Sequence, residues 1–338
     1  MANSRLRYLV WLAVIWTFAL VMLGAFVRLS DAGLGCPDWP GCYGHLTVPE
    51  KPHELAHAAA TFGAMVEPEK GWKEMIHRYV AGGLVVIVLA LTVLLARNRR
   101  KYRIPALLVF APLLVIVFQA LLGMWTVTLK LMPAVVTAHL LGGMTMLALL
   151  GAIAVKGTLP SINIRGATRT LAWIALAALL AQLAVGGLVS SNYAGLACDG
   201  FPTCRGSFAA PDGLAQMLRP DRQLGLTAEG APLTIANLAA IHWLHRVGAL
   251  IVTLLTVVLA LKLAGYQRRL ALLLLAALTL QVLLGIANVL FSLPLPLAVA
   301  HNGGAALLLF SLVSVIARSS GQRTQHVYAN ARHAFAGR

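Results

Sequence analysis

Eight stretches of roughly 20 or more mostly apolar residues recur along this chain, each long enough to cross a hydrocarbon core about 30 Å thick. They fall near 8–28, 74–96, 105–128, 133–155, 169–190, 234–261, 268–291 and 296–317. Of the 338 residues, 59% are hydrophobic and 11% charged, against roughly a quarter charged in an ordinary soluble domain. A soluble fold would have to bury eight all-apolar helices on every face within one chain of this length. The sequence therefore predicts an all-α polytopic membrane protein with eight transmembrane helices.

The net charge of +16 would suit a nucleic-acid partner only if it were gathered on one surface. Instead it punctuates the spans. Arg97, Arg99, Arg100, Lys101 and Arg103 fill one short loop; Lys156, Arg165 and Arg169 flank another; Lys262, Arg268 and Arg269 flank a third. With Arg5 and Arg7 at one end and Arg318, Arg323, Arg332 and Arg338 at the other, these all lie on one side of an eight-span topology. An excess of Lys and Arg marks the cytoplasmic side, so both termini are expected there and the remaining loops outside. Nucleic acid is not an expected partner; lipid is. The first apolar run is too long for a typical signal-peptide core and lacks a clear small-residue cleavage site, so it is expected to stay as a helix.

The chain also repeats itself. "GAFVRLSDAGLGCPDWPGCYG" at 24–44 aligns with "GGLVSSNYAGLACDGFPTCRG" at 186–206, and "QALLGMWTVTLKLMPAVVTAHLLGG" at 119–143 with "QVLLGIANVLFSLPLPLAVAHNGGA" at 281–305. Cys36 and Cys198, Gln119 and Gln281, and His139 and His301 all stand 162 residues apart. His77-Arg78 matches His245-Arg246 at an offset of 168, so the second outer loop is six residues longer. A repeat of this kind is read as a structural unit. Two tandem pseudo-symmetric four-helix bundles are expected, residues 1–160 and 161–338. Each contributes an even number of spans, so both share one orientation.

Each half carries one histidine on its second span and one on its fourth: His77 with His139, and His245 with His301. Ionisable side chains inside spans are costly and mark function. A lone one would leave a ligand and a satisfied core residue equally open; two matched pairs point to ligands. Facing histidines of a bundle are a usual axial arrangement for haem iron. Gly142 and Gly143 after His139, Gly304 after His301, Gly248 after His245, and Ala81 and Gly82 after His77 would clear room for a flat macrocycle, or would let helices pack closely. A zinc or copper site is the rival, but no cysteine or carboxylate completes a metal shell at this depth except Glu74. Arg78 and Arg246 could pair with haem propionates or snorkel to headgroups.

The halves differ three residues before the first histidine, where one has Glu74 and the other His242. Positions i and i+3 share a helix face. Glu74 is therefore expected to face whatever His77 binds, as a general base or a stabiliser of positive charge, unless it serves only to pair with Arg78 or Lys73. Cys36 with Cys42 and Cys198 with Cys204 form two Cys-x5-Cys pairs in outer loops, where a disulfide in each is the default and redox chemistry the sharper alternative. "PHELAHAAATFGAM" reads as a short interfacial helix. His45, His53 and His57 have no repeat counterparts and read as ordinary loop residues.

On "VRLSDAGLGCPDWPGC", Glu74-x-x-His77-Arg78, His245 and His301, the chain resembles the heme A synthase family, cysteine-containing branch, over all eight spans. The resemblance implies an oxidoreductase of the bacterial plasma (inner) membrane that oxidises a methyl group of heme O to the formyl group of heme A, with water as oxygen source. It implies His77 and His139 as ligands of the substrate haem, His245 and His301 as ligands of a haem b cofactor and its iron, Glu74 as the catalytic acidic residue, and loop disulfides at the cysteine pairs. Heme O, a heme O synthase and a quinone or other electron acceptor are the implied partners, with homo-oligomerisation open. A di-haem b-type electron-transfer cytochrome would use the same histidines without needing Glu74. A thiol–quinone oxidoreductase would use the cysteines without needing the histidines, and a transporter would show polar groups at the midplane.

Overall fold

The computed structural model describes residues 4–63, 65–102, 105–164 and 166–319; Arg103, Arg165, Arg323, Arg332 and Arg338 lie outside them. Eight helices are long and apolar enough to span a membrane: α1 (Ser4–Leu29), α3 (Pro68–Tyr102), α4 (Ala106–Thr128), α5 (Pro133–Thr158), α6 (Gly166–Ser191), α8 (Ile235–Ala264), α9 (Arg268–Leu290) and α10 (Leu295–Arg318). Two short helices, α2 (Pro52–Phe62) and α7 (Leu214–Leu218), sit in the two long loops. Helix α2 forms where a short helix was expected. Helix α7 has no counterpart in the first half. The chain is a multi-pass membrane protein, and no strand occurs among the described residues.

Proline and short capping sequences set the helix starts. Pro52, Pro68 and Pro133 open α2, α3 and α5, where a missing N–H costs nothing. Thr234 caps α8: its hydroxyl accepts from Asn237 N, and Asn237 Oδ1 accepts from Thr234 N at 2.9 Å. Hydroxyls within spans bond back to the preceding turn, as Thr17 does to Ala13 O and Thr92 to Val88 O.

Helices α1, α3, α4 and α5 form one ring of neighbours and α6, α8, α9 and α10 a second; α1 and α5 of the first pack against α10, and α5 also against α6. One continuous apolar core runs through both rings, from Leu6 and Val10 to Leu309 and Leu312. The turns recur at the sequence offset. Lys130 and Leu131 between α4 and α5 have positive φ, and so do Ser292 and Leu293 between α9 and α10. Cys42 and His45 pair through their backbones, as do Cys204 and Ser207. The two long cysteine-bearing loops fold over small cores of their own, Cys36, Cys42, Tyr43, Val48, Ala58 and Met75 in the first, Cys198, Cys204, Met217, Ala239 and Ile241 among others in the second.

Candidate functional site

All four span histidines line one cavity of about 1320 Å³ that reaches both halves, larger than the roughly 300–1,000 Å³ of a pocket for one small ligand. His77 comes from α3 and His139 from α5; His245 comes from α8 and His301 from α10. The rings of His245 and His301 face each other with centroids 6.5 Å apart and planes inclined at 75°. Two imidazoles binding one metal atom from opposite sides, with metal–nitrogen bonds of about 2 Å, place their ring centres about 6–6.5 Å apart. The observed pair has that separation. Among the described residues no three of His, Cys, Asp and Glu gather as the shell of a bare ion.

Space for the rings is made by glycines other than those expected. An added Cβ would stand 3.1 Å from His77 Cε1 at Gly24, 3.5 Å from His139 at Gly123, 2.9 Å from His245 at Gly186 and 3.0 Å from His301 at Gly285. Each histidine thus rests against a glycine of the neighbouring helix, and the four glycines are themselves repeat partners. Their signal was present in the alignment of the halves. Gly142, Gly248 and Gly304 serve another purpose, and this corrects the macrocycle reading of those three, whereas Gly143 lines the cavity. Gly142 makes room for the Gln119 side chain, Gly248 for Gln182 and Gly304 for Gln281. Gln119 Nε2 donates to the His139 carbonyl at 2.9 Å. Gln182 Nε2 donates to the His245 carbonyl at 2.8 Å and lies 3.0 Å from His245 Nδ1. Gly82 fits the earlier expectation, since an added Cβ there meets nothing within 4 Å.

Each disulfide loop is bolted down beside its histidine pair. The bonds Cys36–Cys42 and Cys198–Cys204 are formed. In the first half, Glu74 is only 5% exposed. Its Oε2 accepts from Cys36 N at 3.0 Å and its Oε1 from Arg78 Nη2 at 2.5 Å. Arg78 Nη1 donates to the carbonyls of Asp38, Pro40 and Gly41. Lys73 pairs with Glu69 instead. In the second half, Cys198 N faces His242 Nδ1 at 3.3 Å, while Arg246 donates to the carbonyls of Gly200, Thr203 and Cys198 at 3.0, 2.8 and 2.7 Å. Arg78 and Arg246 therefore act as loop anchors. Trp39 and Pro40 of one loop and Phe201 and Pro202 of the other line the cavity, so the loops cover it as lids. A carboxylate oxygen can accept more than one hydrogen bond, so Glu74, which also lines the cavity, keeps acceptor capacity toward a ligand.

The wall also differs between halves. Gly82 and Ala120 line the cavity in the first half; Leu250 and Val282, at the matching positions, line it in the second.

These features define an eight-helix integral membrane protein with two matched intramembrane histidine pairs beneath disulfide-closed loops. Residues 7–313 match the COX15-CtaA family, described as cytochrome oxidase assembly protein, and the chain belongs to that family. It is 44% identical over 319 residues to heme A synthase of Shewanella oneidensis, covering 92% of this chain and 96% of that protein. It is 28% identical over 340 residues to heme A synthase of a Chelativorans species, covering 91% and 89%, and 29% identical over 337 residues to that of Caulobacter vibrioides, covering 89% and 92%.

Proposed function

We propose that this protein converts heme O to heme A, oxidising a ring methyl group to formyl in the N-terminal half (residues 1–160) while a haem b in the C-terminal half (161–338) relays electrons. The family and the names of the relatives support the reaction class. The observation that carries the division of labour is the single carboxylate: Glu74 stands on the cavity beside His77, and His242 takes its place beside His245.

In this reading His77 and His139 hold the iron of the substrate, and His245 and His301 hold haem b. The 6.5 Å ring separation of His245 and His301 leaves room for a metal atom between them, and these two residues would hold the haem b iron. Haem b, when bound, would supply a one-electron acceptor. Converting a methyl to a formyl group with water as oxygen donor releases four electrons and four protons. It proceeds as two two-electron oxidations through a hydroxymethyl group. Glu74 stabilises positive charge as it develops at the methyl carbon and takes the proton of the attacking water. The ion pair with Arg78 and the bond from Cys36 N fix the position and orientation of Glu74. The Trp39 and Phe201 loops keep bulk water from the site.

Gly82 and Ala120 support placing the bulkier ligand in the first half, because heme O exceeds haem b by a long alkyl chain and the second half fills those positions with Leu250 and Val282. The bacterial relatives support the bacterial plasma (inner) membrane, and the Lys and Arg distribution supports cytoplasmic termini with the disulfide loops outside. A heme O synthase would supply the substrate, and a quinone or similar acceptor would take the electrons. Expression with a heme O synthase, followed by chromatography and mass analysis of the extracted haems, tests the reading. Heme A is the expected product; haem b alone would leave an electron-transfer cytochrome.

A further inference from the structure

Three cationic side chains line the cavity, Arg28, Arg78 and Arg246, and Glu74 is the one carboxylate among the lining residues. Arg78 and Arg246 are taken up by the loops, as described above. Arg28 is not. It lies in the last turn of α1, one turn outward of Gly24, the residue packed against His77. Its Nη2 reaches across to the second half and donates to the carbonyls of Ser190 at 2.9 Å and Ser191 at 3.2 Å. Ser190 in turn stands one turn outward of Gly186, the residue packed against His245. The guanidinium is therefore placed a turn outward of both histidine sites, on the seam between the halves.

The seam is where each half meets its own copy. Arg28 bonds to its repeat counterpart Ser190, and Asp31 accepts from the hydroxyl of its counterpart Tyr193 at 2.5 Å. Arg28 also lies over the Tyr193 ring, 3.9 Å from its centroid. Burial, then the Asp31 bond, raises the Tyr193 phenol above its usual range, so it remains a protonated donor at neutral pH. This framework fixes the arginine while using few of its donors. Of the five N–H groups of a guanidinium, the two on Nη2 are used. Nε is buried without a partner, and the guanidinium otherwise engages the Tyr193 phenol. A partly buried cation with unused donors is costly unless an anion completes it.

We infer that Arg28 is a carboxylate-binding residue shared by the two histidine sites, its unused N–H groups taking a propionate-class carboxylate of a macrocycle seated in the cavity. The inference rests on the proposed function for the nature of that macrocycle, and it gives the cation's role to a residue of neither histidine helix. In a heme O-oxidising protein it would hold the carboxylate edge outward, and the ring methyl groups would be oriented relative to Glu74.

The test is a titration of the full-length protein, purified in detergent from haem-limited cells, with iron protoporphyrin IX and separately with its dimethyl ester, whose carboxylates are blocked. The ratio of the two affinities, read from the Soret band, isolates carboxylate recognition. Wild type should favour the free acid, and Arg28→Gln should lower that preference about tenfold, the scale of a charge-assisted hydrogen bond. Asp31→Asn, which removes the charge from the acceptor of the Tyr193 contact and leaves the cation, should keep the preference. Should Arg28→Gln not fold, Arg28→Lys carries the test, because a point charge lacks the guanidinium fork and should lower the preference a few-fold. An unchanged ratio in the Arg28 variants, or an equal fall in Asp31→Asn, would overturn the inference alone. Failure of wild type to bind either probe would overturn the haem reading as well.

Discussion

Replacing Arg78 and Arg246 in turn separates the cost of unfastening a loop from the cost of stranding a charge. Arg78→Met removes the partner of Glu74, a carboxylate only 5% exposed, together with donors to the carbonyls of Asp38, Pro40 and Gly41. Arg246→Met removes donors to the carbonyls of Cys198, Gly200 and Thr203. It strands no carboxylate, because His242 occupies the position of Glu74. The loop contributions largely cancel in the comparison. What remains is a buried ion pair broken from one side, a loss of about 3–5 kcal/mol. Taking the lower figure, and about 2 °C per kcal/mol because both rings share one core and the shift falls with size, Arg78→Met should melt about 6 °C below Arg246→Met. The assay is thermal unfolding in detergent, followed by tryptophan fluorescence at one heating rate. Adding Glu74→Gln to Arg78→Met should recover most of the gap, since a neutral amide leaves no charge behind. Equal midpoints for the two single variants, or a double variant destabilised by the sum of the singles, would refute this reasoning.

Gly82→Leu should exclude heme O while leaving haem b content unchanged, because it copies Leu250 into a wall that has open space in the first half; haem extraction after co-expression with a heme O synthase checks it, and normal heme O binding would count against a roomier first site. Gly186→Ala places a Cβ 2.9 Å from His245 Cε1 and should displace the ring, converting the haem of the second half from a low-spin to a high-spin spectrum, whereas Gly123→Ala, at 3.5 Å from His139, should be tolerated. Removing either disulfide, each with a sequence separation of 6, should lower stability by about 2 kcal/mol in the chain-entropy account; thermal melts of the Cys36→Ser/Cys42→Ser and Cys198→Ser/Cys204→Ser variants should show comparable losses.

Much of the fold was legible because lipid leaves a chain few choices: a span must be apolar, helical and about 20 residues long. The eight apolar runs match eight helices to within a few residues, apart from α3, which extends further at both ends, from Pro68 to Tyr102. The histidines were legible because the halves could be compared, and so was the Glu74–His242 difference. The purpose of the neighbouring glycines was not. Helical spacing places Gly142 near His139 but cannot show that Gln119 reaches from α4 to fill the gap. Loop contacts were harder still. Arg219 and Arg222 look alike in sequence, yet Arg219 pairs with Asp221 and Glu229 at the surface, while Arg222 is 1% exposed and donates to Asn192 Oδ1 and Met217 O. Burial pushes the Arg222 guanidinium below its ordinary pKa. No periodicity marks which arginine a loop will swallow, because that depends on the path of the loop rather than on its composition. The same reason hid the anchoring of Arg78 and Arg246.

The assignment of the chemistry to the first half stands or falls on one carboxylate. With a heme O synthase co-expressed, the extracted haems of wild type, Glu74→Gln and His242→Gln should be separated and weighed. Heme A from wild type and His242→Gln, with Glu74→Gln stopping at heme O or a hydroxylated haem while retaining haem b, is the predicted pattern. Heme A at the wild-type level from Glu74→Gln would contradict it.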